Sequence, residues 1–252
     1  MSHHKIEVKN LRFSYPDGHE AVKNISFAIH HGESVGIIGA NGAGKSTLLM
    51  LLAGILFPAG GEVLVGDVHV TKKTLPMIRQ RLGMVFQDPD DQLFMPTVYD
   101  DVAFGPRNYH LDEEEVADRV REALELVGIL HLKDRAPFRL SGGEKRAAAI
   151  AAVLAMRPDV LIMDEPASSL DPKSRRRVIN LLNSFGHTKI VASHDLDMVF
   201  ETCKRIILLK EGAVAAEGTA KEILRNGRLL DNCGLEMPLS FQGCPLCGNL
   251  KA

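Results

Sequence analysis

Gly39-Ala40-Asn41-Gly42-Ala43-Gly44-Lys45-Ser46-Thr47 decides the fold of this 252-residue chain. The run fits G-x-x-x-x-G-K-[ST], in which successive backbone N–H groups cradle phosphates, the lysine reaches the β and γ groups and the hydroxyl holds Mg²⁺. Lys45 and Ser46 take those last two roles. Upstream, Ser34-Val35-Gly36-Ile37-Ile38 is a short apolar run suited to a buried parallel strand, and downstream Thr47-Leu48-Leu49-Met50-Leu51-Leu52-Ala53 reads as a helix. Strand, loop and helix thus come in the order that phosphate binding needs. The glycines permit positive φ and close backbone approach, and the helix turns its positive end toward the anion.

Composition bounds the rest. With 45% hydrophobic and 25% charged residues the chain matches an ordinary soluble globular protein, with room for one large core or a core plus a subdomain. Thirty basic against 32 acidic residues, a net charge of −2, give no field to gather nucleic acid, so no nucleic-acid partner is expected. The one basic run, Arg175-Arg176-Arg177, reads as the solvated start of a helix after Asp171-Pro172. The longest small apolar run, residues 147–156, falls short of the roughly 18 to 20 residues that cross a bilayer. Met1-Ser2-His3-His4-Lys5 leads into a strand pattern with no apolar signal core, and four cysteines are too few for a disulfide scaffold. A reducing, cytoplasmic setting is expected.

Residues 6–13 and 21–29 alternate as strands about a Tyr15-Pro16-Asp17-Gly18 turn, an antiparallel hairpin ahead of the phosphate loop. Further strands are expected at Glu62-Val63-Leu64-Val65-Gly66 and Leu82-Gly83-Met84-Val85-Phe86, the latter delivering Gln87 into a polar loop. Residues 88–156 read as an inserted helical subdomain, with Asp112 and Glu115 as a capping box, Gly128 as a stop and Val116, Val120, Leu124 and Val127 on one core-facing side. Val160-Leu161-Ile162-Met163 and Lys189-Ile190-Val191-Ala192-Ser193 suit central parallel strands, residues 205–216 form a hairpin about Glu211-Gly212, and Thr219 with Glu222 opens one last capped helix. The fold class that follows is α/β: a mixed-sheet core with an antiparallel β subdomain and the helical insertion.

Asp164 and Glu165 stand at the carboxyl end of their strand, where open α/β sheets place ligands. Asp164 is suited to bind Mg²⁺ directly or through water, and Glu165 to accept a proton from a water attacking the γ phosphate. Leu140-Ser141-Gly142-Gly143-Glu144 matches S-x-x-E before an alanine-rich run, a capping box whose glycine amides also make an anion site. One chain has one phosphate loop already, so this second site serves another subunit's nucleotide.

These motifs, in order from residue 6 to residue 230, resemble the nucleotide-binding subunits of ATP-binding cassette (ABC) transporters. The resemblance implies a P-loop NTPase fold of the RecA-like kind, with ATP and Mg²⁺ as ligands and an ATPase domain over residues 4–230. It makes residues 39–46 the Walker A site, Gln87 the Q-loop and a further Mg²⁺ ligand, residues 140–144 the signature, Asp164 with Glu165 the Walker B pair, Asp171 the D-loop and His194 the switch histidine. Tyr15 matches the aromatic that stacks on adenine. Two chains, identical or not, would stack head to tail, each ATP lying between Lys45 and Ser46 of one and the Ser141 helix end of the other. Glu144 replaces the usual Gln, and Ser168-Ser169 stand where a smaller residue is frequent.

Residues 87–94 and 97–106 are similar to the ATPases of energy-coupling factor transporters, especially the cobalt/nickel branch. That similarity implies an importer ATPase on the cytoplasmic face of the membrane, meeting coupling helices of integral membrane subunits between Gln87 and Tyr99, with Phe94, Met95 and Tyr99 either apolar contacts for such a helix or packed within the helical subdomain. A vitamin importer and a soluble cassette ATPase are the alternatives. Outside the resemblance, in residues 231–252, Cys233 and Cys244-Pro245-Leu246-Cys247 form half of a zinc-knuckle pattern, which reads either as a flexible reduced tail or as three thiolates for a Zn²⁺ or Ni²⁺ site.

Overall fold

Residues 6–242 are described by the computed structural model. The chain divides into two compact units, Met1–Ile78 with His187–Ala252, and Arg79–Gly186. In chain order the elements begin with β1 (Ile6–Ser14), β2 (Glu20–Ile29), β3 (Ser34–Ile38), α1 (Lys45–Leu52), β4 (Gly60–Val65), β5 (Val68–His69) and α2 (Leu75–Arg81). There follow β6 (Leu82–Val85), α3 (Val98–Asn108), α4 (Glu113–Leu126), α5 (Gly142–Leu154), β7 (Val160–Asp164) and α6 (Pro172–Ser184). The chain then runs through β8 (Thr188–Ala192), α7 (Leu196–Thr202), β9 (Arg205–Lys210), β10 (Ala213–Thr219), α8 (Ala220–Arg225) and α9 (Gly227–Asn232).

The first unit holds two sheets. One is antiparallel in the order β2-β1-β4-β5, with Ile6 opposite both Ile29 and Val65. Its alternating pattern buries Ile6, Val8, Ile25 and Ile29. Asn10 and Asn24, at φ 48 and 54, take the left-handed conformation that Asn tolerates, near the register shifts in the β1–β2 pairing. The other sheet is mixed: β9, β3 and β8 run parallel and β10 closes its edge antiparallel. All five residues of β3 are buried, as its continuous apolar run requires. A Cβ on Gly36 would meet Val199 Cγ1 of α7 at 2.6 Å, so this glycine sets how closely α7 packs on β3.

In the second unit, β6 and β7 pair in parallel and α3, α4 and α5 pack through Val102, Val120, Leu124 and Ile150, all essentially inaccessible to solvent. These three helices, with short 3-10 turns at Pro89–Asp91, Leu130–Leu132 and Pro137–Arg139, occupy the stretch expected to be helical. Asp112 caps α4 by accepting from Glu115 N at 2.8 Å, but the Glu115 carboxylate turns to Arg119 at 2.6 Å, so only half of the expected box forms. Gly128, at φ 76, follows the end of α4, and Val127 is half-exposed instead of joining the core stripe. The Thr219–Glu222 capping box opens α8 as expected, yet α8 is not the last helix, because α9 and a 3-10 turn at Leu239–Phe241 follow. Leu239 N and Ser240 N donate to the Asp197 carboxylate at 3.0 Å each, which fastens that turn to α7.

Gly36→Leu is expected to lower unfolding free energy by about 1–3 kcal/mol through overpacking against Val199. Urea denaturation followed by circular dichroism measures it, with Gly32→Leu as the comparison for an open site that is strained only in φ.

Candidate active site

In the first unit, β3 runs straight into the glycine loop. Gly44 N-caps α1 at φ 98 with no side-chain cap, so the helix begins with amides left for a ligand. A Cβ there would strike the Ala21 carbonyl oxygen, which makes glycine obligatory on two counts. The Lys45 ammonium folds back over the loop, donating to Gly39 O at 2.8 Å and Ala40 O at 3.2 Å, and the residue is only 7% exposed. Behind the loop, Gly212 N donates to Ala43 O at 3.2 Å and Lys23 N to Gly212 O at 2.7 Å, tying it to the β9–β10 turn. The Tyr15 hydroxyl bonds Thr47 Oγ1 at 2.9 Å and its ring stacks near His19, so Tyr15 is held against the loop.

Strand register brings His194 to the same place. Ile37 pairs with Ala192 in the parallel β3–β8 ladder, and Ser193 N donates to Ile37 O at 3.2 Å. His194, exposed and next along the chain, therefore leaves the sheet at the edge where Gly39 leaves it. Lys45, Ser46 and His194 are thus gathered at one edge of one unit.

The second unit repeats this logic. Val85 pairs with Met163, so Gln87 and Glu165 emerge at one edge of the β6–β7 pair. Asp164 and Glu165 are 2% and 5% exposed. Glu165 sits at φ 47 and Ser169 at φ 60, left-handed positions that cost energy for residues with a Cβ and cluster here at the end of β7. Gln87 itself is exposed.

Arg146, which belongs to none of the sequence motifs above, organises this edge. It is 4% exposed on α5 and donates from Nη1 to Phe86 O at 2.7 Å and from Nη2 to Gln87 O. Burial pulls its basicity down, while the negative charge of Asp88, Asp164 and Glu165 favours the cation. The available signal was an arginine on the buried face of an otherwise alanine-rich helix, where a charge persists only with partners. Gln92 completes the tie, donating to Ala149 O at 2.6 Å.

At the start of α5 the capping box is complete: Glu144 Oε2 accepts from Ser141 N and Ser141 Oγ, each at 2.8 Å. These bonds hold the Glu144 carboxyl below the usual carboxylate range, the Ser141 amide contributing most. The carboxylate is therefore turned back on its own helix end. Asp171 caps α6 in the same manner, accepting from Lys173 N, Ser174 N and Ser174 Oγ.

Ser46 in the first unit, and Gln87 and Asp164 in the second, each carry an oxygen donor of the kind that Mg²⁺ takes. Two of the cysteines are described. Burial pushes the Cys203 thiol up to about 11, and Cys233 is buried at the end of α9. Among the described residues no group of three or more His, Cys, Asp or Glu is placed to hold a metal ion, and Cys244 and Cys247 lie outside the described residues.

Fold and site together define a P-loop nucleotide-hydrolysing domain. The family profile described as ABC transporter matches residues 22–168. The energy-coupling factor transporter ATP-binding protein EcfA of Methanothermobacter thermautotrophicus is 47% identical, across 92% of this chain and 76% of its own. Among solved structures, cbiO1 of Clostridium perfringens, part of the ABC transporter complex cbiONQ, superposes with a TM-score of 0.79 at 41% identity, over 90% of this chain and 93% of that one. The cassette MJ0796, solved as a dimer in a post-hydrolysis state with ADP and Pi, gives a TM-score of 0.78 at 30% identity, over 85% and 98%. The chain belongs to the ABC transporter ATPase family, and its reaction is the hydrolysis of ATP.

Arg146→Leu is expected to leave the Phe86 and Gln87 carbonyls without a buried donor, at a cost of about 1–3 kcal/mol, and to slow ATP turnover about tenfold. Arg146→Lys restores part of both. Parallel denaturation and phosphate-release measurements check this.

Proposed function

We propose that this chain is the ATP-hydrolysing subunit of an energy-coupling factor importer for cobalt or nickel ions, working as a dimer on the cytoplasmic face of the membrane. The glycine-loop amides and Lys45 hold the β and γ phosphates, and Tyr15 stacks on the adenine. Ser46, Asp164 and Gln87 would hold Mg²⁺, which would supply positive charge to the phosphoryl oxygens. Glu165 accepts the proton of the attacking water, and His194 bonds the γ phosphate. Ser141, Gly142 and Gly143 of a second ATPase subunit, identical or homologous, supply donors from the opposite side. ATP favours the closed pair and hydrolysis releases it.

The observation that carries the transport reading is an apolar display just after the Gln87 loop. Phe94 is 64% exposed and Phe104 42%, and their rings meet edge to face with centroids 5.0 Å apart. The buried Asp101 carboxylate fixes the display by accepting from Phe94 N at 2.9 Å and Met95 N at 3.0 Å. Tyr99 is half-buried with Arg107 over its ring, so Phe104 takes the place that the sequence had offered to Tyr99. An exposed aromatic pair suits the apolar face of a coupling helix from a membrane subunit. Among the described residues no helix is long and apolar enough to cross a membrane, which agrees with attachment through such partners.

Two variants separate hydrolysis from coupling. Glu165→Gln is expected to lower turnover by at least a hundredfold and to trap an ATP-bound dimer on gel filtration, and undiminished turnover would remove Glu165 from its role. Phe94→Ala is expected to keep basal ATPase within about twofold while uptake in vesicles with the co-purifying membrane proteins drops about tenfold. Uptake assays with Co²⁺, Ni²⁺ and vitamins fix the substrate; vitamin uptake without metal uptake refutes the metal assignment.

A further inference from the structure

We propose that a cavity within the second unit, of about 630 Å³, is a regulatory site for a small amphiphilic anion such as an aryl or alkyl carboxylate or sulfonate. It lies between the end of α4, the start of α5 and the length of α6. Its volume is that of a pocket for a drug-sized organic molecule, and far exceeds what a bare ion needs.

The lining sets the chemistry. Leu126, Val127, Ala147, Val178 and Leu181 give it an apolar wall, and Leu126 is 57% exposed there although it closes an amphipathic helix. Most of its polar groups are already engaged. Glu144 and Ser141 bond each other, Ser174 Oγ donates to Asp171 at 2.5 Å, and Ser184 Oγ donates to Leu181 O at 2.9 Å. Arg177 and Asn180 remain, three residues apart and so on one face of α6. Among the described residues neither side chain has a hydrogen-bond or ion-pair partner. A cation and an amide beside an apolar wall select an anionic head on an apolar body. The one carboxylate of the lining, Glu144, is turned toward its own helix end and does not oppose that head.

Consequence follows from which element forms the wall. Ser141 and Gly143 line the cavity, so a ligand bridging α5 to α6 ties the signature end of α5 in place and lowers ATP turnover. This regulatory step rests on the role proposed above for Ser141 and Gly143. Binding of the ligand does not.

The test uses the full chain and 8-anilinonaphthalene-1-sulfonate, whose fluorescence reports binding. A saturable site is expected that weakens at least tenfold in Arg177→Glu, stays within threefold in Arg177→Lys and is lost in Ala147→Phe, which fills the cavity. Phe94→Ala and Arg228→Glu are expected to leave it unchanged, which distinguishes the cavity from other exposed apolar surface. Equal affinity in Arg177→Glu and the parent, or full binding by Ala147→Phe with a parent-like thermal melt, overturns the site. Affinity that falls as protein concentration rises overturns it too, because a second copy would then be the occupant. The probe is expected to lower ATPase of the parent but not of Ala147→Phe. Specific binding without that effect overturns the regulatory step alone, and absence of ATPase in the unliganded parent overturns the proposed function while the binding result stands.

Discussion

The residues proposed for hydrolysis within this chain depend on two stretches of in-register parallel pairing. Ile37 against Ala192 places the glycine loop and His194 at one sheet edge, and Val85 against Met163 places Gln87 beside Glu165. A slip of one residue in either ladder would turn each side chain to the opposite face and shift the exit point of the loop. Complete burial of β3, β7 and β8 resists such a slip, since moving polar neighbours into a dry layer has a high cost. Core packing thereby fixes chemistry that the core residues never perform.

The glycine loop is set up before any phosphate arrives. The Gly212 turn ties it from behind, Gly212 N donating to Ala43 O, and the Lys45 ammonium donates to the Gly39 and Ala40 carbonyls. With these carbonyls as acceptors the Lys45 ammonium is held over the loop, so an arriving phosphate exchanges acceptors over a short distance instead of ordering a long, flexible side chain.

What the sequence made legible was local or periodic: the strand runs, the glycine loop, and the capping boxes at Ser141 and Thr219, whose partners lie three residues away. What it hid depends on competition or on distant contacts. Glu115 had two acceptable partners, and Arg119 on the next turn won over its own helix end. Val127 fits the apolar stripe of α4 by spacing, but Gly128 reverses the backbone before that stripe can continue inward. Arg146 and Phe86 are sixty positions apart, the Tyr15 hydroxyl and Thr47 thirty-two, and no local pattern announces either bond. Phe104 escaped notice because helical aromatics are usually core, and only the fold reveals its exposed face against Phe94.

Glu144 shows how a departure from the family pattern acts through hydrogen-bond supply. Its carboxylate accepts both the amide and the hydroxyl of Ser141, so the one hydroxyl proton of that serine is committed within the helix cap. A phosphate approaching this end meets the amides of Gly142 and Gly143 and the helix dipole first. It gains the Ser141 hydroxyl only by drawing that proton away from Glu144. These bonds, that from the Ser141 amide first, hold the Glu144 carboxyl below the usual carboxylate range. Recruiting Ser141 requires only that its hydroxyl rotate from Glu144 to the phosphate, because the Ser141 amide still bonds the carboxylate. On the role proposed for this helix end, its own cap competes with the partner's nucleotide for the Ser141 hydroxyl.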